Sequence, residues 1–202
     1  MKRYFITGIG TDVGKTIVAA ILVEALGADY WKPIQAGDLN NTDSMKIRSL
    51  ISNSKSIIHS EAYRFSKSLS PHAAADADKI KINLLKISLP KITNTLVIEG
   101  AGGLMVPLNN EYLVIDLIKK FNAEAILVSN NYLGSINHTL LSIEALKSRG
   151  IKIAGIIFNG KPTLSSEEYI LKRTGLKCLL KIKEENKIDQ KTISKYKSLI
   201  KF

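Results

Sequence analysis

Short apolar runs recur along the chain at Tyr4–Thr7, Ala28–Trp31, Thr95–Glu99, Ala125–Ser129, Ile153–Phe158 and Cys178–Ile182. Continuous apolar runs of this length predict strands buried on both faces. Between most of them lie amphipathic segments with helical spacing: Lys15–Leu26, Thr42–Leu50, Leu84–Ile92, Leu113–Phe121, Ser135–Arg149 and Ser165–Thr174. The alternation predicts an α/β protein with a mostly parallel central sheet flanked by helices and joined by right-handed crossovers. In such sheets ligands bind in the crevice at the carboxyl ends of the strands. Polar or glycine-rich clusters occupy those ends at Gly8–Thr16, Lys32–Asp43, Glu99–Gly103, Asn130–Asn137 and Asn159–Lys161, and their shared location marks one site. Ser52–Asp78 has weak periodicity and is expected to be an irregular excursion. With no internal repeat and no long linker, residues 1–202 are expected to form a single domain.

The 45% hydrophobic content is that of an ordinary globular protein. A lone cysteine, Cys178, rules out an intramolecular disulfide and suits a reducing cytoplasm. Met1-Lys2-Arg3 runs directly into the first strand, so no signal peptide is expected, and no apolar run is long enough to span a membrane. The net charge of +11 invites a nucleic-acid partner. Its distribution argues otherwise. Lysines outnumber arginines 24 to 5, and ten basic against three acidic residues gather between Lys172 and Phe202. There they alternate with Ile193, Tyr196 and Ile200 at helical spacing, the pattern of a solvated helix face. The expectation is a small-molecule enzyme without nucleic-acid or membrane partners, whose basic field suits an anionic substrate.

Chemistry enters with Thr7-Gly8-Ile9-Gly10-Thr11-Asp12-Val13-Gly14-Lys15-Thr16. A glycine-rich turn between a strand and a helix, ending in Gly-Lys-Thr, is a phosphate-binding loop. Its backbone N–H groups and the helix N-terminus face phosphate oxygens. Lys15 would reach the β- and γ-phosphates, and the Thr16 hydroxyl would hold Mg²⁺. Five residues rather than four separate Gly8 from Gly14, making this a variant loop. The fold class is therefore expected to be a three-layer P-loop NTPase.

Glu99 closes an apolar strand and precedes Gly100-Ala101-Gly102-Gly103. A carboxylate there, beside a phosphate loop, is placed to hold Mg²⁺ or orient water, and the glycines allow close backbone approach. Lys32, after the second strand, would point a second ammonium into the same crevice, where charge develops in phosphoryl transfer. Asp43 fits either a second Mg²⁺ ligand or an acidic residue in a first helical turn capped by Thr42 or Asn41. Asn159 fits a purine-edge reader or an Asn-Gly turn. His138 is expected to start or cap a helix. Ser129–Asn137 follows a strand and opens a helix, so its free N–H groups can receive a carboxylate. No Cys/His cluster has zinc spacing, and no nucleophile elbow occurs.

Together these segments resemble the dethiobiotin synthetases, ATP-dependent carboxylases of biotin synthesis. The match runs in order through Gly8–Thr16, Lys32-Pro33 with Gln35 and Gly37, Thr42-Asp43, Tyr63-Arg64-Phe65, Ser70-Pro71-His72, Glu99–Gly103, Leu133–His138 and Asn159. The Glu-Gly-Ala-Gly-Gly and Leu-Gly-x-Ile-Asn-His elements are its most specific parts. The resemblance implies carboxylation of 7,8-diaminopelargonic acid by carbon dioxide, phosphorylation of the carbamate by ATP, and ring closure by the second amine. It implies catalysis by Lys15, Lys32 and Thr11, the last bonding the carbamate. It gives Asp12, Val13, Gly14, Lys15, Thr16, Ile17, Asp43, Glu99, Gly100, Ala101, Gly102 and Asn159 to ATP. Thr16, Asp43 and Glu99 would hold Mg²⁺. Lys32, Ala36, Leu133, Ser135 and Asn137 would contact the organic substrate. The family's homodimer would bring the Leu133–Asn137 loop to the neighbouring subunit's substrate carboxylate.

The chain departs from the family at Gly10 and Asp12, where many members carry aspartate and glutamate. Ala36 replaces a hydroxyl residue, and Lys181–Glu185 stands in place of a proline-rich base-binding loop. A corrin-amidating synthase needs an extra domain for which there is no room. The remaining alternative, a partitioning-type switch ATPase, needs a lysine at Gly10.

Overall fold

A computed structural model describes all residues, Met1–Phe202. In chain order the elements are β1 (Arg3–Gly8), α1 (Lys15–Leu26), β2 (Asp29–Trp31), β3 (Ile34–Ala36), α2 (Asp43–Leu50), β4 (Ile58–His59), β5 (Tyr63–Phe65) and α3 (Pro71–Ala77). They continue through β6 (Leu96–Gly103), α4 (Val114–Lys120), β7 (Glu124–Asn130), α5 (Ser135–Ser148), β8 (Ile153–Asn159), α6 (Leu164–Thr174), β9 (Cys178–Ile182) and α7 (Gln190–Lys197). Seven strands form one sheet in the order β4-β2-β6-β1-β7-β8-β9, and β3 pairs with β5 outside it. Every pairing in the main sheet is parallel, as the apolar runs predict.

The two faces of the sheet feed separate cores. On β1, Tyr4 and Ile6 pack on one side with α1 and α7, while Phe5 packs on the other with α4. β6 repeats the alternation, with Val97 on the α1 side and Leu96 and Ile98 opposite. α1 is apolar almost all round because the sheet, α2 and α7 enclose it, and Val18 through Val23 are buried without exception.

Several expectations need correction. Leu84–Ile92 is not a helix: only a single 3₁₀ turn forms at Leu84–Lys86. Pro90 lacks an N–H and disfavours helical geometry at Leu89, so the apolar spacing there reflects Ile87 anchoring an extended segment in the core. The Thr95–Glu99 strand does not stop at Glu99. It continues to Gly103, with a register shift opposite β1 between Ile6 and Gly8. Gly100 permits this, since a Cβ there would press on the Phe5 ring. Within Ser52–Asp78 lie β4, β5 and α3, elements of two to seven residues. β3 was not anticipated either. Ile200 lies beyond the end of α7, although it still packs against the core. No helix is long and apolar enough to cross a membrane.

Candidate active site

A cavity of about 940 Å³ opens where β1, β2 and β6 end. It is lined by Thr11, Asp12, Gly14, Lys15, Thr16 and Ile17 from the phosphate loop and α1, and by Lys32, Ala36, Asp43, Glu99, Ala101 and Gly102 beyond it. Chain segments far apart in sequence therefore converge at the predicted strand ends.

The loop is held from two sides. Gly14 adopts φ +91, and a side chain there would collide with the Asn159 amide. That amide donates from Nδ2 to the Val13 carbonyl at 2.9 Å. Asn159 thus ties β8 to the loop and lies behind it, outside the cavity lining. Val13 is also buried beneath the loop, and Asp12 takes a left-handed φ of 56 that turns the chain over. A Cβ on Gly10 would meet nothing, so this departure from the family pattern is not imposed by packing.

At the loop's end, Lys15 donates to the Gly10 carbonyl at 2.9 Å, curling over the space a phosphate would fill. Burial pushes its ammonium below the ordinary lysine value; Glu99 opposes that shift, and Lys32 reinforces it. Thr16 donates to Glu99 Oε1 at 2.8 Å. Lys32 donates to the same oxygen at 3.1 Å and to Asp43 Oδ2. Burial alone would lower the Lys32 ammonium, but Glu99 and Asp43 outweigh it and hold it above the ordinary value. Burial would raise the Asp43 carboxyl, and Lys32 outweighs that and draws it down. Both lysines are more enclosed than an open crevice would leave them: Lys15 is 8% and Lys32 6% exposed. Lys15 also belongs to the first turn of α1 rather than to a strand end.

Asp43 has the helix-start geometry of one of its readings and also a place on the cavity wall. It begins α2 behind an N-cap Thr42 whose hydroxyl accepts from Met45 N at 3.2 Å, and it also faces the cavity. With Thr16 and Glu99 it forms a set of oxygen donors linked through Lys32. No group of three or more His, Cys, Asp or Glu side chains is arranged to hold a metal ion by itself. A hydroxyl and two carboxylates beside phosphates suit Mg²⁺, which takes few protein ligands and keeps water.

Tyr30 and Lys46 carry no signal singled out in the sequence, and Gln35 enters there only as part of the family match. Tyr30, fully buried, donates to Glu99 Oε2 at 2.8 Å. The signal that could have found it was the spacing of two from Lys32, which lies just past the end of β2. Gln35 donates to the Gly37 carbonyl at 2.9 Å and accepts from Asp43 N at 3.2 Å, bracing the start of α2. Lys46 lines the cavity and reaches Asp38 and Asp43, one helical turn from the latter.

Leu133, Ser135 and Asn137 lie elsewhere and do not line this cavity. Leu133 is fully exposed, Asn137 is exposed, and Ser135 is buried at the start of α5 behind Gly134. His138 stands in the first turn of α5 rather than capping it, and accepts or donates at 2.6 Å with the Tyr132 hydroxyl.

Residues 2–192 match a family model described as an AAA domain. A protein of Cytophaga hutchinsonii named ATP-dependent dethiobiotin synthetase is 55% identical over 97% of this chain and 95% of its own length. Proteins of the same name from Christiangramia forsetii and Chlamydia pneumoniae are 55% and 44% identical, over 96% and 97% of this chain and 94% and 88% of theirs. Among solved structures, the septum site-determining protein MinD of Pyrococcus horikoshii, complexed with Mg-ADP, superposes with a TM-score of 0.60 at 15% identity. The match covers 96% of this chain and 85% of MinD. A ParA family ATPase from Chlorobium tepidum gives 0.53 at 14% identity, covering 98% and 92%. These two likenesses show the P-loop NTPase fold.

Proposed function

This chain belongs to the family of ATP-dependent dethiobiotin synthetases, and we propose from it a division of labour among the residues of the cavity. The reaction is ATP-dependent ring closure: 7,8-diaminopelargonate, carbon dioxide and ATP give dethiobiotin, ADP and phosphate. The observation that carries the reading is the second buried ammonium. Hydrolysis of ATP on a phosphate loop calls for Lys15; Lys32 is equally enclosed and faces the same cavity, and once Glu99 and Asp43, its present partners, turn to Mg²⁺ it is free for a second anion. A carbamate on the diamine is such an anion.

In this scheme one amine attacks carbon dioxide and loses a proton, leaving a carbamate beside Thr11 and Lys32. A carbamate oxygen then attacks the γ-phosphorus, ADP departs, and Lys15 stabilises the charge that develops. The second amine attacks the carbonyl carbon of the mixed anhydride, the ring closes and phosphate leaves. Asp12, Gly14 through Ile17, Ala101 and Gly102 would line the nucleotide path, with Val13 and Gly100 supporting them from beneath, and Ala36 would lie along the organic substrate. Thr16, Asp43 and Glu99 would hold Mg²⁺, which supplies charge neutralisation on the phosphates. Lys32 must loosen its grip on both carboxylates as substrates arrive, which suits a flexible ammonium better than a guanidinium.

We further assign Leu133, Ser135 and Asn137 to a two-fold partner's substrate carboxylate. Exposed Tyr132, Leu133 and Leu141 around the start of α5 support an interface there. A cytoplasmic, homodimeric enzyme without nucleic-acid or membrane partners completes the proposal. The experiment is ADP release from ATP with and without diaminopelargonate and bicarbonate. Release that depends on both supports the reading. Equal release without them favours the switch ATPase and overturns it.

A further inference from the structure

We propose that Tyr30 is a positioning residue for Glu99, its hydroxyl holding Oε2 so that Oε1 is the oxygen presented to the phosphate-facing cavity. The inference rests on the reading of Glu99 as a carboxylate of the Mg²⁺–phosphate site. In the parallel pairing of β2 with β6, Tyr30 stands opposite Val97 and Trp31 opposite Ile98, which brings the Tyr30 ring alongside the residue that follows. Its hydroxyl donates to Glu99 Oε2 at 2.8 Å. The cavity-side groups, Thr16 Oγ1 and Lys32 Nζ, both converge on Oε1, at 2.8 and 3.1 Å. The two oxygens of one carboxylate therefore have separate duties.

Two physical arguments make this more than packing. The terminal torsion of a glutamate is broad and roughly two-fold, so the carboxylate plane is set by its partners and not by a rotamer well. Tyr30 is the one donor to Oε2, and Glu99 is 1% exposed, so water does not replace it. Conversely, a fully buried tyrosine hydroxyl must find an acceptor, and phenylalanine would fill the same space without that demand. The hydroxyl thus serves the carboxylate it touches. Lys32, two residues on and just past the end of β2, reaches the same carboxylate, so one short segment delivers both the group that fixes Glu99 and the cation that neutralises it.

The test compares wild type, Tyr30→Phe and Glu99→Gln in the full chain. ATP affinity is measured calorimetrically in EDTA and across a Mg²⁺ titration, together with kcat, the KM for the diamine, and thermal unfolding. For Tyr30→Phe we expect unchanged affinity for metal-free ATP. The Mg²⁺ concentration for half-maximal tightening should rise by about 10-fold, the scale for removing an outer-shell partner. The value of kcat should fall by about the same factor, with KM for the diamine unchanged. Superimposable Mg²⁺ curves for Tyr30→Phe and wild type would overturn the inference. So would equal weakening with and without metal, the mark of a merely structural residue. If Glu99→Gln shifts the Mg²⁺ curve and Tyr30→Phe does not, the inference fails alone. If Glu99→Gln itself leaves the curve in place, the reading of Glu99 fails and takes the inference with it. Should Tyr30→Phe not fold, a crystal structure of the wild type with Mg-ADP decides. Tyr30 still bonded to Oε2 supports the role, and a Glu99 swung away from it removes it.

Discussion

Lys32 satisfies the buried Glu99 and the half-buried Asp43 at once, and this gives it a structural duty beside its chemical one. Breaking such a pair from one side strands the other charge. Lys32→Ala should therefore abolish turnover and also destabilise the ligand-free protein by about 3 kcal/mol, because Glu99 and Asp43 lose their common cation. Lys15→Ala should cost a similar factor in turnover, roughly 100-fold or more, as for other groups that stabilise transferring charge. It should cost much less in stability, since Lys15 bonds only a loop carbonyl. Thermal unfolding and single-turnover kinetics on the two variants separate these effects. Equal loss of stability would contradict the assigned difference. At this scale part of the cavity was readable: the structure brings Lys15, Thr16, Lys32 and Glu99 together at the strand ends where the sequence put them, and Asp43, which spacing left between two readings, joins them. Tyr30 and Lys46 were not, because an aromatic in an apolar strand and a lysine on an amphipathic helix look like core and solvated surface until their hydrogen-bond partners are known.

Among the elements, α1 shows how a site is anchored from behind. It carries Lys15 at its first residue and Glu24 near its last turn. Glu24 is buried and accepts from Ser52 N and Oγ, Asn53 N and Nδ2, and Lys197 Nζ, at 2.7 to 3.1 Å. Burial would raise its carboxyl, but the bonds from Asn53, Ser52 and Lys197 outweigh it and bring it down from 4.5 to about 2. A folded-state value below the unfolded one means stability that is full above about pH 4.5 and drains as the pH falls towards 2. Glu24→Gln should thus cost about 2 kcal/mol at pH 7, the scale of hydrogen bonds to a charged group. The gap to wild type should close between those two pH values. Denaturant unfolding across that range checks it, and a gap that stays constant would contradict the assignment.

Element boundaries were legible wherever both burial and period were strong. α1 and β9 fall at the expected residues, since α1 is buried along most of its length and β9 is apolar but for Lys181. Leu84–Ile92 misled because residues that touch the core at helical spacing can also do so from an extended chain interrupted by Pro90. β3 and β5, three residues each, are too short to show any period, and they form because the chain pairs Ile34–Ala36 with Tyr63–Phe65 from far along the sequence.

For the whole molecule, the residues assigned to the organic substrate fall into two groups that one chain does not unite. Lys32 and Ala36 line the cavity, whereas Leu133 and Asn137 are exposed at the start of α5. The proposed two-fold partner would resolve the division. Asn137→Ala should raise KM for the diamine with little change for ATP. Mixing it with Lys32→Ala protein should restore activity, because hybrid dimers contain one intact composite site. Failure of the mixture to exceed its parents, with hybrids present, would place both groups in service of the same chain. The parallel sheet and the convergence of polar clusters at its strand ends were readable from the alternation of apolar runs and helical segments, whereas the strand order β4-β2-β6-β1-β7-β8-β9 was not, because it depends on crossovers that leave no period in the sequence.

The central claim, ring closure driven by ATP, is tested most directly by following the carbon. The protein is incubated with ATP, Mg²⁺, diaminopelargonate and ¹³C-bicarbonate, and the product is read by NMR beside the yield of ADP and phosphate. The account predicts one labelled ureido carbonyl for each ADP and each phosphate formed. ADP formed at full rate with no labelled ureido carbon would contradict it.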